Sequence, residues 1–171
     1  MERSPISIQS WIAENAASLK PPVGGKAVWQ DTADFMVVIL GGNDRTDWHV
    51  NPTEEFFYQL EGDITLKIRE DGRIKAIPIS AGELFLLPAN VPHSPQRPPR
   101  TKGLVIERFR PAGQIDKIQW YCEECDELVR SVEGEIQPNA LVKFINDATA
   151  EYVADEAKRT CPKCGHVNPA R

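Results

Sequence analysis

A succession of short apolar runs, with no helical pattern between them, is the feature that most restricts the fold. The runs cover residues 35–40, 55–62, 63–70, 73–79, 83–88 and 103–109. Their spacing predicts an antiparallel β-sandwich or barrel, and the Asp71-Gly72 pair predicts a tight hairpin between two strands. We further expect runs 55–62 and 63–70 to pair with each other, and Gly41-Gly42 to end the first strand.

Two segments instead carry apolar residues at helical spacing. They are residues 8–19 and residues 139–153. Pro21 and Pro22 are expected to end the first helix, because proline cannot continue a helix. The predicted fold class is therefore all-β dominated, with an N-terminal helix and a small C-terminal extension that contains a second helix.

The length of 171 residues suits one domain of ordinary size with a small appendage. We place the boundary near residue 115, with a barrel over residues 1–115 and a C-terminal extension over residues 116–171. The formal net charge of −5 argues against a phosphate-binding surface, so we expect no nucleic-acid partner. The chain has no apolar run of about 20 residues and no secretory signal at its start. We therefore expect a cytoplasmic protein with no membrane partner.

All four cysteines fall in two Cys-x-x-Cys pairs, Cys122 with Cys125 and Cys161 with Cys164. Two such knuckles bring four thiolates to one tetrahedral ion, so we predict a four-cysteine metal site. An electron-transfer centre, a zinc ribbon for nucleic acid and a structural staple are the possible roles. From residue 120 onward the chain has ten acidic and six basic residues, which disfavours nucleic acid and favours the staple.

A second candidate metal site comes from two histidines and a glutamate. His49 and Glu55 lie in one segment, and His93 lies in a later proline-rich one. Two imidazoles and one carboxylate suit ferrous iron and leave open positions for substrate and dioxygen. A single histidine beside a strand is more often a hydrogen-bonded residue than a ligand, so the set carries the prediction. Because neighbours on a strand alternate faces, only one of Glu54 and Glu55 can point inward.

The spacing of these residues resembles the two sequence motifs of the cupin superfamily. The matching positions, first motif and then second, are Gly42, His49, Glu55 and Gly62, followed by Gly82, Pro88 and His93. Asp47 stands where the general pattern has another histidine, which favours the set of two histidines and one glutamate. Asn90 replaces a glycine, and asparagine tolerates the left-handed backbone that a tight turn needs. The cupin register selects Glu55 over Glu54 as the ligand.

Over residues 20–121 the chain is similar to the 3-hydroxyanthranilate 3,4-dioxygenase family. The similar segments are RTDWH, EEFFYQLEGD, FLLPANVPHSPQRP and LVIERFRPAG. The resemblance implies a cupin (jelly-roll) barrel that opens the ring of 3-hydroxyanthranilate with dioxygen on Fe(II). The product would be 2-amino-3-carboxymuconate semialdehyde, in tryptophan (kynurenine) degradation towards quinolinate and NAD. A homodimer and a C-terminal rubredoxin-like site that holds iron or zinc, as in bacterial members, are also implied.

The resemblance also implies roles for individual residues. The catalytic iron ligands fall on His49, Glu55 and His93. The arginines for the substrate carboxylate fall on Arg45 and Arg97, with Arg45 also beside dioxygen, and a substrate-binding catalytic glutamate falls on Glu107. An arginine fork suits a carboxylate, and a glutamate in an apolar strand is costly unless it is paired or functional. Without the resemblance, solvated arginines and an outward-facing Glu107 that pairs with a nearby arginine would be the simpler expectation.

Two functions from other classes stay open at this point. One is a non-catalytic cupin module that binds a small aromatic acid, and the other is a cupin isomerase or epimerase. The arginine pair beside the metal ligands favours the dioxygenase over both. One departure from the family is Gly25, where members usually carry asparagine in a loop near the active site. Glycine there removes a side-chain hydrogen bond and adds flexibility.

Overall fold

A computed structural model describes residues 4–21 and 23–171, without the side chains of residues 138 and 139. The strands are β1 (Val23–Ala27), β2 (Phe35–Asn43), β3 (Trp48–Val50), β4 (Glu55–Glu61), β5 (Ile64–Glu70), β6 (Arg73–Ile79), β7 (Leu84–Leu87), β8 (His93–Gln96), β9 (Lys102–Arg108), β10 (Asp116–Tyr121) and β11 (Leu128–Gly134). The helices are α1 (Ile8–Glu14), α2 (Pro138–Ala154) and α3 (Glu156–Arg159), with a 3-10 turn over Ala16–Ser18.

The strands form two antiparallel sheets. The five-stranded sheet has the order β1-β2-β9-β4-β7, and the six-stranded sheet has the order β11-β10-β3-β8-β5-β6. Side chains from both sheets, among them Phe57, Leu66 and Val105, meet in one buried apolar cluster. Burial of one face of each sheet against the other holds such a barrel together. The structure thus confirms the predicted all-β fold with helices near both ends of the chain.

The predicted pairing of β4 with β5 is wrong. β4 pairs with β7 and β9, whereas β5 pairs with β6 and β8, in the other sheet. Gly62, with a φ of 65°, lies in the short link between the two strands. The link carries the chain from one sheet to the other, so the apolar faces of β4 and β5 meet in the core instead of lying side by side.

The predicted hairpin at Asp71-Gly72 is confirmed, since both residues have positive φ and join β5 to β6.

Two predicted ends also differ from the structure. β2 continues through Gly41 to Asn43, because the glycine admits a close approach of backbone instead of ending the strand. A Cβ at Gly41 would overlap the carbonyl oxygen of Leu19. Helix α1 ends at Glu14, before the prolines. Asn15 caps it, and the Asn15 side chain donates to the Trp11 carbonyl oxygen at 2.8 Å, a local bond that competes with continued helix. Pro22 itself lies outside the described residues.

The C-terminal segment continues the six-stranded sheet. The predicted boundary near residue 115 falls between β9 and β10, and β10 then pairs with β3 on one side and β11 on the other. Helix α2 packs onto this part of the sheet, where Tyr152 stacks on Trp120 with ring centres 4.4 Å apart. Leu141 and Ile145 of α2 belong to the same buried cluster. The helix is therefore fixed against the barrel by aromatic and aliphatic contacts.

Candidate active site and four-cysteine site

Three predicted metal ligands meet inside the barrel. His49 on β3 and His93 on β8 are register partners on neighbouring strands, so their rings lie 5.1 Å apart, centre to centre. Glu55 comes from the five-stranded sheet and places Oε2 3.2 Å from Nε2 of His93. One ligand atom of each residue lies within 4.8 Å of the others, and all three residues are buried.

The strand register decides which glutamate enters the barrel. Glu55 is buried and Glu54 is exposed, as the alternation of side chains along β4 requires. Asn90 has a φ of 63°, and its backbone N–H donates to the carbonyl oxygen of Asn51 at 2.8 Å. This bond joins the turn before His93 to the segment that precedes Glu55, so the two motifs are held together.

Hydrogen bonds from other residues orient the three candidate ligands. Nδ1 of His93 lies 3.1 Å from a backbone carbonyl oxygen, and Nε2 of His49 lies 2.8 Å from Oδ1 of Asp116. In each ring the other nitrogen is left for a metal. Asn51 Nδ2 donates to Oε2 of Glu55 at 3.3 Å. Outer contacts of this kind fix the direction of metal-binding histidines and carboxylates, so the donor set fits a divalent metal ion.

A buried chain of charges connects His49 to Glu107. Nη2 of Arg110 donates to Asp116 at 2.7 Å and to Glu107 at 2.8 Å. Asn51 Nδ2 also donates to Glu107, at 3.2 Å. Glu107 therefore faces the interior and is paired there, so the alternative of an outward-facing Glu107 is wrong.

Sequence reasoning missed three residues of this network, Asn51, Arg110 and Asp116. Asp116 alternates with Ile118 and Trp120 on the buried face of β10. A carboxylate at such a position is a signal that the sequence does contain, because an unpaired buried charge is costly. Asn51 and Arg110 lie outside the strands, where no periodicity points to an inward side chain.

Burial and charge act differently on the two buried glutamates. Burial, together with the negative charge of Glu55, raises the pKa of Glu107 to about 7, although Arg110 opposes the shift. Burial acts in the same direction on Glu55, but the charge and hydrogen bond of His93 outweigh it and lower the pKa of Glu55 to about 2. Glu55 is therefore ionised at neutral pH, as a metal ligand must be.

The two predicted substrate arginines have different surroundings. Arg45 lines the cavity beside the metal ligands, and its Nη2 and Nε donate to the carboxylate of Asp47 at 2.5 and 3.1 Å. The carboxylate of Asp47 therefore fixes the position of the Arg45 guanidinium. Arg97 is not among the described residues that line the cavity; its Nη1 donates to Oε1 of Gln59 at 3.2 Å, and its buried Nε has no partner. Burial lowers the pKa of Arg97 to about 10, although the charge of Glu55 opposes the shift.

A cavity of about 180 Å³ lies beside the candidate ligands. Its polar lining residues are Lys26, Gln30, Arg45, His49, Glu55, His93 and Glu107. Its apolar lining residues are Val23, Gly25, Ala27, Met36, Val38, Leu40, Leu141, Val142 and Ile145. These apolar residues belong to β1, β2 and α2, so the C-terminal helix forms part of the cavity. The predicted loop position of Gly25 is wrong, because Gly25 lies within β1.

The four cysteines form a second cluster, with all sulfurs within 4.8 Å of one another and no disulfide. Cys122 lies 3.6 Å from Cys164, and Cys125 lies 3.6 Å from Cys161, sulfur to sulfur. A tetrahedral ion with metal–sulfur bonds of about 2.3 Å separates its sulfurs by about 3.8 Å. Backbone N–H groups of the second knuckle lower the pKa of Cys161 to about 6, whereas the neighbouring sulfurs raise the pKa of Cys125 and of Cys164. The spacing of the four sulfurs fits a metal ion.

The barrel and its buried donor set define a class, the cupins in which candidate metal ligands face a cavity. Comparison with known proteins narrows the class. The sequence model of the 3-hydroxyanthranilic acid dioxygenase family matches residues 1–153. The chain therefore belongs to the 3-hydroxyanthranilic acid dioxygenase family, in agreement with the resemblance seen in its motifs.

Two relatives that are named for this activity agree with the assignment. The 3-hydroxyanthranilate 3,4-dioxygenase of Ruegeria pomeroyi is 47% identical over 98% of this chain and 93% of its own length. The protein of the same name from the yeast Meyerozyma guilliermondii is 46% identical over 100% of this chain and 99% of its own length. A solved cupin-2 domain protein from Shewanella frigidimarina is 21% identical, with a TM-score of 0.42 over 60% of this chain and 99% of that chain.

Proposed function

We propose that this chain is a 3-hydroxyanthranilate 3,4-dioxygenase that uses Fe(II) held by His49, Glu55 and His93. The reaction joins both atoms of dioxygen to the substrate and yields 2-amino-3-carboxymuconate semialdehyde. The observation that carries the proposal is the buried set of two histidines and one glutamate facing a cavity that also contains Arg45 and Glu107. Relatives with this activity in their names, at 46–47% identity over nearly the whole chain, support it further.

The residues around the metal have complementary tasks in this proposal. Fe(II), when bound, supplies a redox-active Lewis acid with open positions for the substrate amine and hydroxyl and for dioxygen. Arg45 binds the substrate carboxylate and lies beside dioxygen, with Asp47 holding its guanidinium in place. Arg97, whose Nη1 donates to Oε1 of Gln59, supplies a second positive charge for the substrate carboxylate. Glu107 accepts a hydrogen bond from the substrate amine or takes the proton of the hydroxyl.

Oxygen consumption tests the proposed function directly. The iron-loaded protein, incubated in air with 3-hydroxyanthranilate, should consume one dioxygen per substrate and form a strongly absorbing ring-opened product. A protein that binds the compound without consuming oxygen would be a binding module. An isomerase would change the substrate without oxygen uptake, so either result would overturn the dioxygenase proposal.

We propose that the four-cysteine site holds iron or zinc as a structural staple. Ring opening with dioxygen needs no electrons from outside, so an electron-transfer role has no part in the reaction. The two knuckles precede β11 and follow α3, and a shared ion joins these distant parts of the chain. Binding of a metal by residues far apart in sequence stabilises the folded state, because the unfolded chain lacks the site.

We also propose a homodimer that forms through the outer face of the five-stranded sheet. Leu84 and Leu86 on the edge strand β7 are 63% and 53% exposed, and Phe35 on β2 is 53% exposed. Leu84 and Leu86 are register partners of Tyr58 and Phe56 on β4, which adds aromatic side chains to the same outer face. Contiguous apolar surface of this kind is typical of a protein–protein interface.

Changing Leu84 and Leu86 together to lysine should convert the dimer to a monomer, because two unpaired charges would have to be desolvated at the interface. Analytical ultracentrifugation measures the result. Ile74→Lys is the matched control, since Ile74 is 51% exposed on β6, in the other sheet. The proposed interface is wrong if the double variant stays dimeric, or if Ile74→Lys dissociates the dimer equally.

Among the residues described, no helix is long and apolar enough to cross a membrane. We propose a cytoplasmic location and a role in tryptophan degradation, with 3-hydroxyanthranilate and dioxygen as the small-molecule partners and no nucleic-acid partner. The four unpaired thiols, arranged for a metal, support a reducing compartment. Fractionation of the source cells tests the location.

A further inference from the structure

Gln59 is a buried polar residue on β4 to which the proposed function gives no role. Glu55, Phe57 and Gln59 alternate along β4, so all three side chains face the barrel interior. A buried amide is costly unless its donor and acceptor atoms are paired. The partners of the Gln59 amide therefore indicate what the residue does.

These partners fix the orientation of the amide. Nε2 of Gln59 donates to the carbonyl oxygens of Glu61 and Gly62, at 2.9 and 3.0 Å. Oε1 accepts a hydrogen bond from Nη1 of Arg97 at 3.2 Å. The carbonyl oxygens can only accept and the guanidinium can only donate, so the amide cannot be reversed. One atom of the amide thus holds the link between β4 and β5, and the other holds Arg97.

The position of the Arg97 guanidinium depends on Gln59. Arg97 is buried and its Nε has no partner, so among the described residues Gln59 is the one that hydrogen-bonds to its side chain. The charges of Glu55 and Arg45 both act on the pKa of Arg97, so the guanidinium lies near the candidate metal site. Arg45 is paired with the carboxylate of Asp47. The neutral amide of Gln59, by contrast, fixes Arg97 without adding a negative charge.

Gly103 gives Gln59 and Arg97 the space in which they meet. It lies on β9 as the register partner of Gln59. A Cβ at Gly103 would lie 2.4 Å from Nη1 of Arg97 and 2.9 Å from Oε1 of Gln59, closer than non-bonded atoms come. A side chain at this position would therefore displace the guanidinium, which is the flexible end of Arg97, from the amide.

We infer that Gln59 is a positioning residue for substrate recognition: it directs the Arg97 guanidinium so that Arg97 and Arg45 act on the same substrate carboxylate. The inference rests on the proposed function and deepens it. Arg97 is not among the described residues that line the cavity, so the direction of its side chain decides how close its charge comes to a bound carboxylate. Because the attraction between charges weakens with distance, a displaced guanidinium should bind that carboxylate more weakly.

The test compares 3-hydroxyanthranilate with 2-aminophenol, which has the same neighbouring amine and hydroxyl but no carboxylate. Anaerobic titration calorimetry on the iron-loaded protein gives a dissociation constant for each compound. In Gln59→Met the dissociation constant of 3-hydroxyanthranilate should rise about 10-fold or more, because the hydrogen bond that directs a charged group is lost. The dissociation constant of 2-aminophenol should stay within about 2-fold of its value in the unmodified protein, because this compound has no group for Arg97 to bind. The iron content per chain should not change.

Gly103→Ala changes the same contact from the opposite strand, because the added methyl group displaces the guanidinium while Gln59 is retained. This variant should also weaken the binding of 3-hydroxyanthranilate and not that of 2-aminophenol. Gln119→Met is the matched control, since Gln119 is half-buried on β10 and its Oε1 accepts from the hydroxyl of Tyr121. Both dissociation constants should stay within about 2-fold of the unmodified protein in this control.

Equal weakening of both compounds in Gln59→Met would show a general structural role and would overturn the inference. An unchanged dissociation constant of 3-hydroxyanthranilate in either folded variant would do the same. If Gln59→Met does not fold, Gly103→Ala decides by the same comparison. Failure of the unmodified protein to bind 3-hydroxyanthranilate would instead overturn the proposed function.

Discussion

His49→Ala is expected to remove the barrel metal and the ring-opening activity together, while the four-cysteine metal stays bound. His49 is one of the three candidate ligands that the described residues bring together in the barrel, and the two that remain cannot complete the set. Loss of an outer contact to a metal ligand already lowers affinity or activity by about 10–100-fold, so loss of the ligand itself should exceed about 100-fold. Elemental analysis of metal per chain, with oxygen consumption on the same samples, measures both effects.

His166→Ala is the control for this variant. His166 adjoins the second cysteine knuckle, but four sulfurs already complete a tetrahedral site, so both metals and the activity should be retained. Two independent metal sites would be contradicted if His49→Ala lost the metal of the cysteines as well. An unchanged iron content in His49→Ala would contradict the assignment of His49 as a ligand.

Arg110→Met is expected to lower the free energy of unfolding by about 3–5 kcal/mol, because it leaves the buried carboxylates of Glu107 and Asp116 without their cation. Arg110 donates to both carboxylates, and all three side chains are buried. Activity should also fall, since Asp116 orients the ring of His49. The metal-free protein is unfolded with urea, and tryptophan fluorescence monitors the unfolding. The free energy of unfolding measured in this way contains no contribution from the metal.

Arg108→Met is the matched control for this prediction. Arg108 is close in sequence but exposed, and substitution of an exposed residue usually changes stability by no more than about 0.5 kcal/mol. Equal losses in the two variants would show that the buried network contributes nothing beyond the general effect of removing an arginine. A loss of stability with full retention of activity would show that Asp116 does not need Arg110 to hold His49.

Part of the fold follows from local signals in the sequence. The alternation in β5 and the Asp71-Gly72 turn act within a few residues, so the hairpin of β5 and β6 was correctly predicted. The pairing partner of β4 was predicted wrongly. A turn of a few residues can return the chain to the same sheet, or it can lead the chain across the core to the other sheet. Which of these occurs depends on where the apolar faces of distant strands are buried.

The residues of the candidate site likewise fall into those that local sequence signals predicted and those that they did not. His49, Glu55 and His93 were found because their chemistry and spacing are visible in two short motifs, and the structure brings them together. Asp116 and Arg110 also belong to that site. The alternation of β10 indicates a buried Asp116, whereas nothing in the sequence around Arg110 indicates its position. The position of Gly25 was also mistaken, because whether a glycine lies in a loop or a strand depends on the partner that β1 finds in β2.

By itself, the sequence determined the all-β class, the two candidate sets of metal ligands and the rule that only one of Glu54 and Glu55 points inward; the resemblance to cupins selected Glu55. These properties depend on residue type, on strand alternation and on short spacing, all of which are written along the chain. Only the tertiary structure decided that α2 lines the cavity, that Arg110 joins Glu107 to Asp116, and that Gly25 lies in a strand beside Leu40. Each of these depends on contacts between segments far apart in sequence, and such contacts form only when the sheets and the helix pack together.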